Sequence, residues 1–230
     1  MKPYSHKSLE NLKQSLKNKQ ERLAFDFLGR SLAYNPYMPR AEALDFKREA
    51  KQNIAGNILF CPPFSYEKLS FLPDNIKAIA IDFTPMYVSG VPTAEALDCL
   101  SALRRYSDKY IIHNDMFIDP YQLLESVVYG SDGVILEAGL LGKDLASMCD
   151  FASRLGLVVI VKITSPEELK AAIFAKAQIL YIAKDFSSLL GLIPNSKIIF
   201  SDGNVGDDSV DLKQKNSYGV DMFLVRDVIK

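Results

Sequence analysis

Short apolar segments rich in β-branched residues recur eight times along the chain, and this regular recurrence limits the possible folds more than any other feature. The segments begin about 18 to 32 residues apart, at residues 57–61, 78–83, 110–113, 133–136, 158–163, 179–182, 197–200 and 222–225. Amphipathic stretches with helix-start signals separate most of them. Asp119, for example, precedes a proline at the first helical position, and Ser165 precedes Pro166 and two glutamates in a first turn. Strands that alternate with helices in this way predict a parallel α/β fold.

The number of strand–helix units favours a closed barrel. Eight units in 230 residues match a single (β/α)8 TIM barrel better than an open doubly wound sheet. The first predicted strand is followed by Cys61-Pro62-Pro63 and not by the glycine-rich turn of a dinucleotide-binding sheet. The sequence contains no linker and no low-complexity segment. We therefore predict one domain over residues 1–230, with an N-terminal helical extension at 1–53, the barrel at 54–230 and a truncated C-terminal helix.

The N-terminal extension carries its own helical pattern. Four leucines between residues 9 and 23 follow helical spacing among lysines and glutamates, which predicts a helix over residues 8–24. A second helix is predicted at about residues 41–52. A single apolar stripe has to pack against something, and the sequence leaves open whether this is the end of the barrel or a partner molecule.

Composition and charge argue against several classes of function. A formal net charge of −1 argues against a dedicated nucleic-acid surface, which needs clustered lysine and arginine. The three cysteines lie far apart and far from the only two histidines, so we predict no metal site, no disulfide framework and no cofactor. The chain shows no signal-peptide pattern and no apolar run of the roughly 18 residues that a membrane span needs. We therefore expect a cytoplasmic protein without a membrane segment.

The most distinctive segment combines the third and fourth predicted strands with the helix between them. Residues 113–125 read His-Asn-Asp-Met-Phe-Ile-Asp-Pro-Tyr-Gln-Leu-Leu-Glu, and residues 129–141 read Tyr-Gly-Ser-Asp-Gly-Val-Ile-Leu-Glu-Ala-Gly-Leu-Leu. This segment resembles the third and fourth units of the indole-3-glycerol phosphate synthase family, and its Ile-Asp-Pro-Tyr-Gln core is the most specific part of the match. Weaker similarity at 87–90, 155–169 and 184–186 extends the resemblance over most of the chain.

The resemblance implies a (β/α)8 barrel and, if the protein is active, a carbon–carbon carboxy-lyase of tryptophan biosynthesis. Members of the family close the ring of an anthranilate-derived ribulose phosphate with loss of CO2 and water, which needs a general acid, a general base and a phosphate site. Pro62 and Asn114 stand at the positions that match the family's two catalytic lysines, and Lys162 stands at its fifth-strand glutamate. Phe60 replaces a first-strand glutamate. An asparagine amide cannot act as an acid near neutral pH.

Other matching positions at the strand ends also differ from the family pattern. Ile182 and Lys184 replace an asparagine and an arginine, Asp202 brings a carboxylate next to Gly203, and Arg226 replaces a small glycine of the phosphate site. A carboxylate near a phosphate dianion would cost on the order of 1 kcal/mol in a partly dry site. The resemblance therefore implies an inherited scaffold whose original activity is lost or strongly impaired.

Three residues are candidates for chemistry at the barrel mouth. Period-two alternation places Asp82, Asn114 and Lys162 on the barrel interior. We predict that Asp82 and Lys162 meet there as an ion pair that fills the vacated pocket. The alternative is that Lys162 acts as a Schiff-base nucleophile or general base, as in an aldolase-like barrel.

The polar residues of the third unit favour structural roles. His113 is the only histidine on a predicted strand, and alternation turns it outward, away from the barrel interior. We predict that Asp115 and Asp119 cap turns, because Asp119 immediately precedes a proline at a helix start.

Positive charge at the mouth suggests an anion site. Lys184, Gly203 and Arg226 are the candidate residues for a phosphorylated or carboxylated ligand, although Arg226 could instead neutralise Asp202. Residues 201–208 resemble part of a calcium loop but lack its glutamate at the twelfth position, where Leu212 stands, so we predict a flexible loop there.

Three functions are compatible with these observations. The first is a diverged family member with little or no original activity. The second is a non-catalytic barrel that binds a protein partner or forms a homodimer, since apolar surface around the first and eighth strands would need a cover. The third is a barrel enzyme with new chemistry centred on Lys162.

Overall fold

Eight parallel strands close into a barrel in which each strand hydrogen-bonds to the next and the last strand to the first. This computed structural model describes residues 4–48, 54–203 and 212–226. The strands are β1 (Gly56–Cys61), β2 (Ile76–Asp82), β3 (Tyr110–Asn114), β4 (Gly133–Glu137), β5 (Val158–Ile163), β6 (Ile179–Ile182), β7 (Ile198–Asp202) and β8 (Met222–Val225). All of them lie where the sequence predicts a strand, so the (β/α)8 barrel is confirmed.

Helices surround the barrel. They are α1 (His6–Arg22), α2 (Phe25–Ser31), α3 (Ala94–Tyr106), α4 (Pro120–Val128), α5 (Ala138–Leu141), α6 (Leu145–Arg154), α7 (Pro166–Phe174), α8 (Phe186–Leu190) and α9 (Leu212–Ser217). Short 3-10 turns lie at Leu32–Tyr34, Ala43–Phe46, Tyr66–Phe71, Thr84–Val88 and Gly142–Asp144. None of the helices in the described ranges is long and apolar enough to cross a membrane.

The N-terminal extension differs in part from its prediction. α1 confirms the helix predicted at 8–24, and it begins after Ser5, whose hydroxyl accepts a hydrogen bond from the Ser8 backbone N–H (3.0 Å). The helix predicted at about 41–52 is wrong in its described part, where Ala43–Phe46 forms a single 3-10 turn. Residues 49–53 of that prediction lie outside the described ranges. α2 has no counterpart among the predicted helices, because its seven residues are too few to show a helical period.

The apolar stripe of α1 packs against the barrel of the same chain. Leu12 and Leu16 are buried against Tyr87, Tyr121 and Leu124. The Lys19 ammonium of the same helix lies 2.8 Å from the Glu125 carboxylate on α4. α1 therefore covers the second, third and fourth strand units, which answers the question that the sequence leaves open.

Period-two alternation fills the barrel interior with apolar side chains. Phe60, Ile135, Tyr181 and Phe200 belong to this interior cluster, and their strand neighbours face the surrounding helices. At the amino-terminal ends of the strands, the fully buried ring of Phe46 packs against the ring of Phe200, with centroids 5.8 Å apart. The N-terminal extension thus contributes a side chain to the barrel core.

Two buried aspartates occupy equivalent places in the two halves of the barrel. Asp132 precedes β4, and its carboxylate accepts a hydrogen bond from the Ile111 backbone N–H of β3 (2.9 Å). Asp221 precedes β8, and its carboxylate accepts one from the Ile199 backbone N–H of β7 (2.8 Å). Each aspartate follows a Tyr-Gly-x sequence whose glycine has a positive φ, 86° at Gly130 and 100° at Gly219.

The same two aspartates attach the N-terminal extension to the barrel. The Asp132 carboxylate accepts hydrogen bonds from the Arg40 backbone N–H (2.9 Å) and from the Arg40 guanidinium. The Asp221 carboxylate accepts one from the Arg48 backbone N–H (3.1 Å) and pairs with the Lys47 ammonium (3.2 Å). The extension is therefore fixed to the amino-terminal face of the barrel at two sites.

Candidate functional site

One layer of mostly polar side chains follows the last apolar layer of the interior, at the carboxyl ends of the strands. By alternation from interior residues, this mouth layer consists of Pro62, Asp82, Asn114, Glu137, Lys162, Ala183, Asp202 and Arg226. The inward direction predicted for Asp82, Asn114 and Lys162 is thus confirmed. Their partners at the mouth differ from the prediction.

Lys162 pairs with a glutamate from the neighbouring strand. Its ammonium lies 3.1 Å from Glu137 Oε2, and the two side chains are 28% and 12% exposed. The Tyr4 hydroxyl, from the segment before α1, donates to the same oxygen at 3.2 Å. Burial raises the pKa of Tyr4 above its ordinary value, and the neighbouring Glu137 carboxylate adds to the shift. The predicted Asp82–Lys162 ion pair is wrong, because Glu137 lies on the strand next to β5 and Asp82 does not.

Asp82 is held by neutral donors. Its Oδ1 atom accepts hydrogen bonds from the Asn114 amide (2.7 Å), the Thr84 hydroxyl (2.6 Å) and the Thr84 backbone N–H (3.0 Å). Asn114, which matches a catalytic lysine of the resembled family, therefore acts here as a hydrogen-bond donor to a carboxylate. An amide in this position fixes Asp82 but adds no acid of its own.

A second ion pair lies on the opposite side of the mouth. Arg226 Nη1 donates to Asp202 Oδ1 at 3.0 Å, and the Tyr181 hydroxyl donates to the same oxygen at 3.0 Å. The Arg226 guanidinium also lies over the Phe60 ring, 4.9 Å from its centroid. Burial opposes the charge of Arg226, but Asp202 and Tyr181 together outweigh this and raise the arginine pKa. Burial also raises the pKa of Tyr181, with a further contribution from Asp202.

At the candidate phosphate site, the Gly203 N–H and one guanidinium nitrogen of Arg226 already donate hydrogen bonds within the protein. The Gly203 backbone N–H donates to the Leu224 carbonyl at 2.7 Å, so it belongs to the barrel ladder. A Cβ atom at position 203 would lie 2.9 Å from Val225 Cγ1, which explains the glycine by packing alone. Lys184 is exposed and forms no ion pair with any described residue. Residues 204–208 of the calcium-like loop lie outside the described ranges.

One sequence match to the mouth is wrong. Ile182 faces outward and packs with the buried cluster between the barrel and its helices, while Tyr181 and Ala183 face the interior. The residue that matches the family's sixth-strand asparagine therefore does not line the mouth. A difference of one residue in strand register reverses the direction of a side chain, and sequence similarity over a four-residue strand cannot fix that register.

The outward orientation of His113 is confirmed. Its Nδ1 atom lies 2.8 Å from the Ser126 hydroxyl, and its ring packs edge-on against Phe83 and Phe117. The predicted capping roles are confirmed as well. Asp119 accepts a hydrogen bond from the Tyr121 backbone N–H (2.8 Å) at the start of α4, and Asp115 accepts one from the following backbone N–H (2.7 Å).

Metal and thiol chemistry find no support in the described residues. Among them, no group of three or more His, Cys, Asp or Glu side chains could hold a metal ion. Cys61 lies next to the mouth, but burial raises the pKa of its thiol to about 12, which keeps it protonated.

Two mouth residues were not among the sequence candidates. Glu137 carries a detectable signal, because it is the only charged residue of β4 and ends that otherwise apolar strand in the inward register. Tyr4 carries no such signal, because its contact with Glu137 joins residues 133 positions apart in the chain.

We expect the Glu137–Lys162 pair to be energetically coupled. Lys162→Met should lower the free energy of unfolding by about 1–3 kcal/mol, since a mostly buried carboxylate would lose its cation. Adding Glu137→Gln should recover part of the loss, with a coupling free energy of about 0.5–3 kcal/mol in a urea-unfolding double-mutant cycle. Lys143→Met, which changes an exposed lysine, is the matched control and should have little effect. A coupling free energy near zero would show that the pair contributes nothing to stability.

The fold and this mouth define a class of protein. A closed (β/α)8 barrel with charged side chains gathered at the carboxyl ends of its strands has the architecture of the barrel enzymes, which place their active sites there.

Comparison with known proteins identifies the family within this class. The model of the family described as indole-3-glycerol phosphate synthase matches residues 94–225. The indole-3-glycerol phosphate synthase of Campylobacter jejuni (strain RM1221) is 34% identical to this chain over an alignment of 242 positions, gaps included, that covers 95% of this chain and 92% of that protein. Proteins of the same name from Campylobacter curvus and Sulfurimonas denitrificans are 32% and 26% identical, over 94% of this chain and 90% and 89% of their own lengths. The chain belongs to the indole-3-glycerol phosphate synthase family.

Proposed function

We propose that this member of the tryptophan-biosynthesis lyase family has lost all or most of the indole-forming activity. One observation carries the proposal: each acidic side chain of the mouth already contacts another mouth residue. Glu137 is paired with Lys162, Asp202 with Arg226, and Asp82 accepts hydrogen bonds from Asn114. Ring closure needs an acid and a base that are free to exchange protons with a substrate.

The acid–base groups of the family are missing in two ways. Asn114 and Pro62 stand at the positions of the catalytic lysines and carry no acidic proton near neutral pH. Lys162 stands at the position of a glutamate, so the sign of the charge is reversed there. General acid–base groups typically contribute about 10²–10⁴-fold each to a rate. The loss of two such groups is therefore enough to remove the reaction in practice.

The described part of the mouth is also a poor phosphate site. Asp202 places a carboxylate where the family binds a dianion, and Arg226 is engaged by that carboxylate. The Gly203 N–H is engaged by the Leu224 carbonyl. A phosphate would find only the remaining guanidinium donors of Arg226, next to the repelling carboxylate of Asp202.

A direct assay tests the proposal. The family's anthranilate-derived ribulose phosphate substrate is added to the purified protein, and indole formation is followed by fluorescence. The C. jejuni relative, assayed in parallel, is the positive control. We expect a rate at least about 10⁴-fold lower than that of the control, from the loss of the acid–base groups. Turnover within tenfold of the control would disprove the loss of activity.

Chemistry centred on Lys162 has weaker support. Attack on a carbonyl group needs a nitrogen that is free to approach the ligand, whereas Lys162 Nζ is bound to Glu137 Oε2 at 3.1 Å. We therefore expect no borohydride-trapped adduct of Lys162 with dihydroxyacetone phosphate. An adduct that appears in mass spectra and is lost in Lys162→Ala would instead favour an aldolase-like function.

Three further properties remain predictions from the sequence. They are the cytoplasmic location, the lack of a cofactor, and binding of a protein partner or a second copy of the chain. The packing of α1 on its own barrel covers one apolar surface that could otherwise have bound a partner.

A further inference from the structure

A pocket remains open at one side of the mouth, between the end of β8, the tip of β2 and the loop that follows β1. Its volume is about 430 Å³, within the range of pockets that bind small molecules. Phe60, Pro62 and Phe64 supply apolar walls, and three charged side chains line the same space. Tyr4 and Lys162 do not line it, so the pocket is separate from the Glu137–Lys162 pair.

Two cations face this pocket. Asp202 engages Arg226 through Nη1, and a guanidinium carries five N–H donors, so Arg226 retains capacity for a planar carboxylate. Lys68 is exposed and forms no ion pair with any described residue. The Phe60 ring beneath the guanidinium provides a flat apolar surface beside the charge.

A carboxylate from the end of β2 lines the same pocket, with β1 between it and Arg226 at the end of β8. Asp82 receives its three hydrogen bonds from Asn114 and Thr84 at Oδ1. Its Oδ2 atom accepts none from a described residue, so it can accept one from a ligand. Two cations and a carboxylate around an apolar wall fit a ligand that carries charges of both signs.

We propose that this pocket binds a small amphoteric molecule whose carboxylate and protonated amine are separated by an apolar body. The carboxylate contacts Arg226 and Lys68, the apolar body packs against Phe60 and Phe64, and the amine contacts Asp82. A doubly charged phosphate fits less well, because the carboxylates of Asp82 and Asp202 both border the mouth. The inference rests on the proposed function in one respect, namely that the family substrate is not the occupant.

Calorimetric titration of the full chain with matched probes tests this inference. The probes are 3- and 4-(aminomethyl)benzoate, benzoate, benzylamine and inorganic phosphate. We expect at least one aminomethylbenzoate to bind at least tenfold more tightly than benzoate, benzylamine or phosphate. The reason is that only the aminomethylbenzoates satisfy both ends of the pocket.

Substitutions then test which residues bind the carboxylate of the probe and which bind its amine. Arg226→Gln should weaken the aminomethylbenzoate at least tenfold and leave benzylamine unchanged, while Asp82→Asn should weaken it and leave benzoate unchanged. Lys68→Gln, an exposed change that does not threaten folding, should weaken it several-fold. Lys184→Gln, which changes an exposed lysine outside the pocket lining, is the control and should have no effect.

Three results would overturn the inference. They are the absence of binding by every probe at millimolar concentration, affinities that none of the pocket substitutions alters, and phosphate binding as tight as that of the aminomethylbenzoates. None of these results depends on the fluorescence assay. Indole formation would contradict the proposed loss of activity without changing the probe affinities, so the two proposals can fail separately.

Discussion

Replacing Asp132 by alanine is expected to lower the free energy of unfolding by about 3–5 kcal/mol, the typical effect of removing one partner from a buried ion pair. Its side chain is fully buried, and its carboxylate accepts hydrogen bonds from Arg40, Arg104 and the Ile111 backbone N–H. Arg104 is itself 7% exposed, so the alanine variant leaves a nearly buried guanidinium without its counter-ion. Urea unfolding followed by circular dichroism measures the change.

Asp150→Ala is the matched control, because it also removes an ion-paired aspartate but one that is exposed. Asp150 pairs with Arg154 on the surface of α6 at 3.0 Å, and both side chains are 68% exposed. Asp150→Ala should therefore change the free energy of unfolding by about 0–1 kcal/mol at most. If the Asp132 and Asp150 variants unfolded at the same urea concentration, Asp132 could not be an anchor between the extension and the barrel.

The strands were predictable because their signal is local. Each strand is a short apolar run bounded by turn residues, and period-two alternation gives the direction of each side chain without knowledge of its neighbours. This reasoning gives Asp82, Asn114 and Lys162 inward directions, two residues after the interior residues Ala80, Ile112 and Ile160. Similarity to the family pattern gives the wrong direction for Ile182, whereas alternation along β6 gives the observed one.

The partners of the mouth residues were not predictable in the same way. Lys162 could meet any carboxylate of the mouth, and the order of strands around the barrel selects Glu137 on the adjacent strand. Tyr4 reaches the mouth only because the leucine stripe of α1 fixes that helix across the second, third and fourth units. Contacts between residues far apart in the chain depend on how the elements pack, and the local preferences of a sequence carry no information about that packing.

The predicted helix at 41–52 failed for a related reason. The segment contains good helix formers, yet Phe46 is drawn into the barrel and the capping contacts of Glu42 and Asp45 close a single turn. Burial of one large aromatic side chain outweighs the few tenths of a kcal/mol per residue that helix propensity offers.

Phe46→Ala should therefore destabilise the whole barrel, by about 3–5 kcal/mol, as is typical when a buried aromatic side chain is removed from a core. The Phe46 ring is fully buried between the rings of Tyr110 and Phe200, with centroids 5.6 and 5.8 Å away. The cavity left by the alanine would lie where the amino-terminal ends of the strands meet. Thermal and urea unfolding measure the loss.

Leu44→Ala, two residues away and 75% exposed, is the control and should change stability by no more than about 0.5 kcal/mol. The Phe46 variant should still unfold in one transition, because Asp132 and Asp221 continue to bind the extension to the barrel through the Arg40 and Arg48 backbone N–H groups. Two separate transitions, or a Phe46 variant as stable as the Leu44 variant, would mean that the extension only lies on the barrel surface. A single, strongly shifted transition would instead mean that the extension and the eight strands share one core.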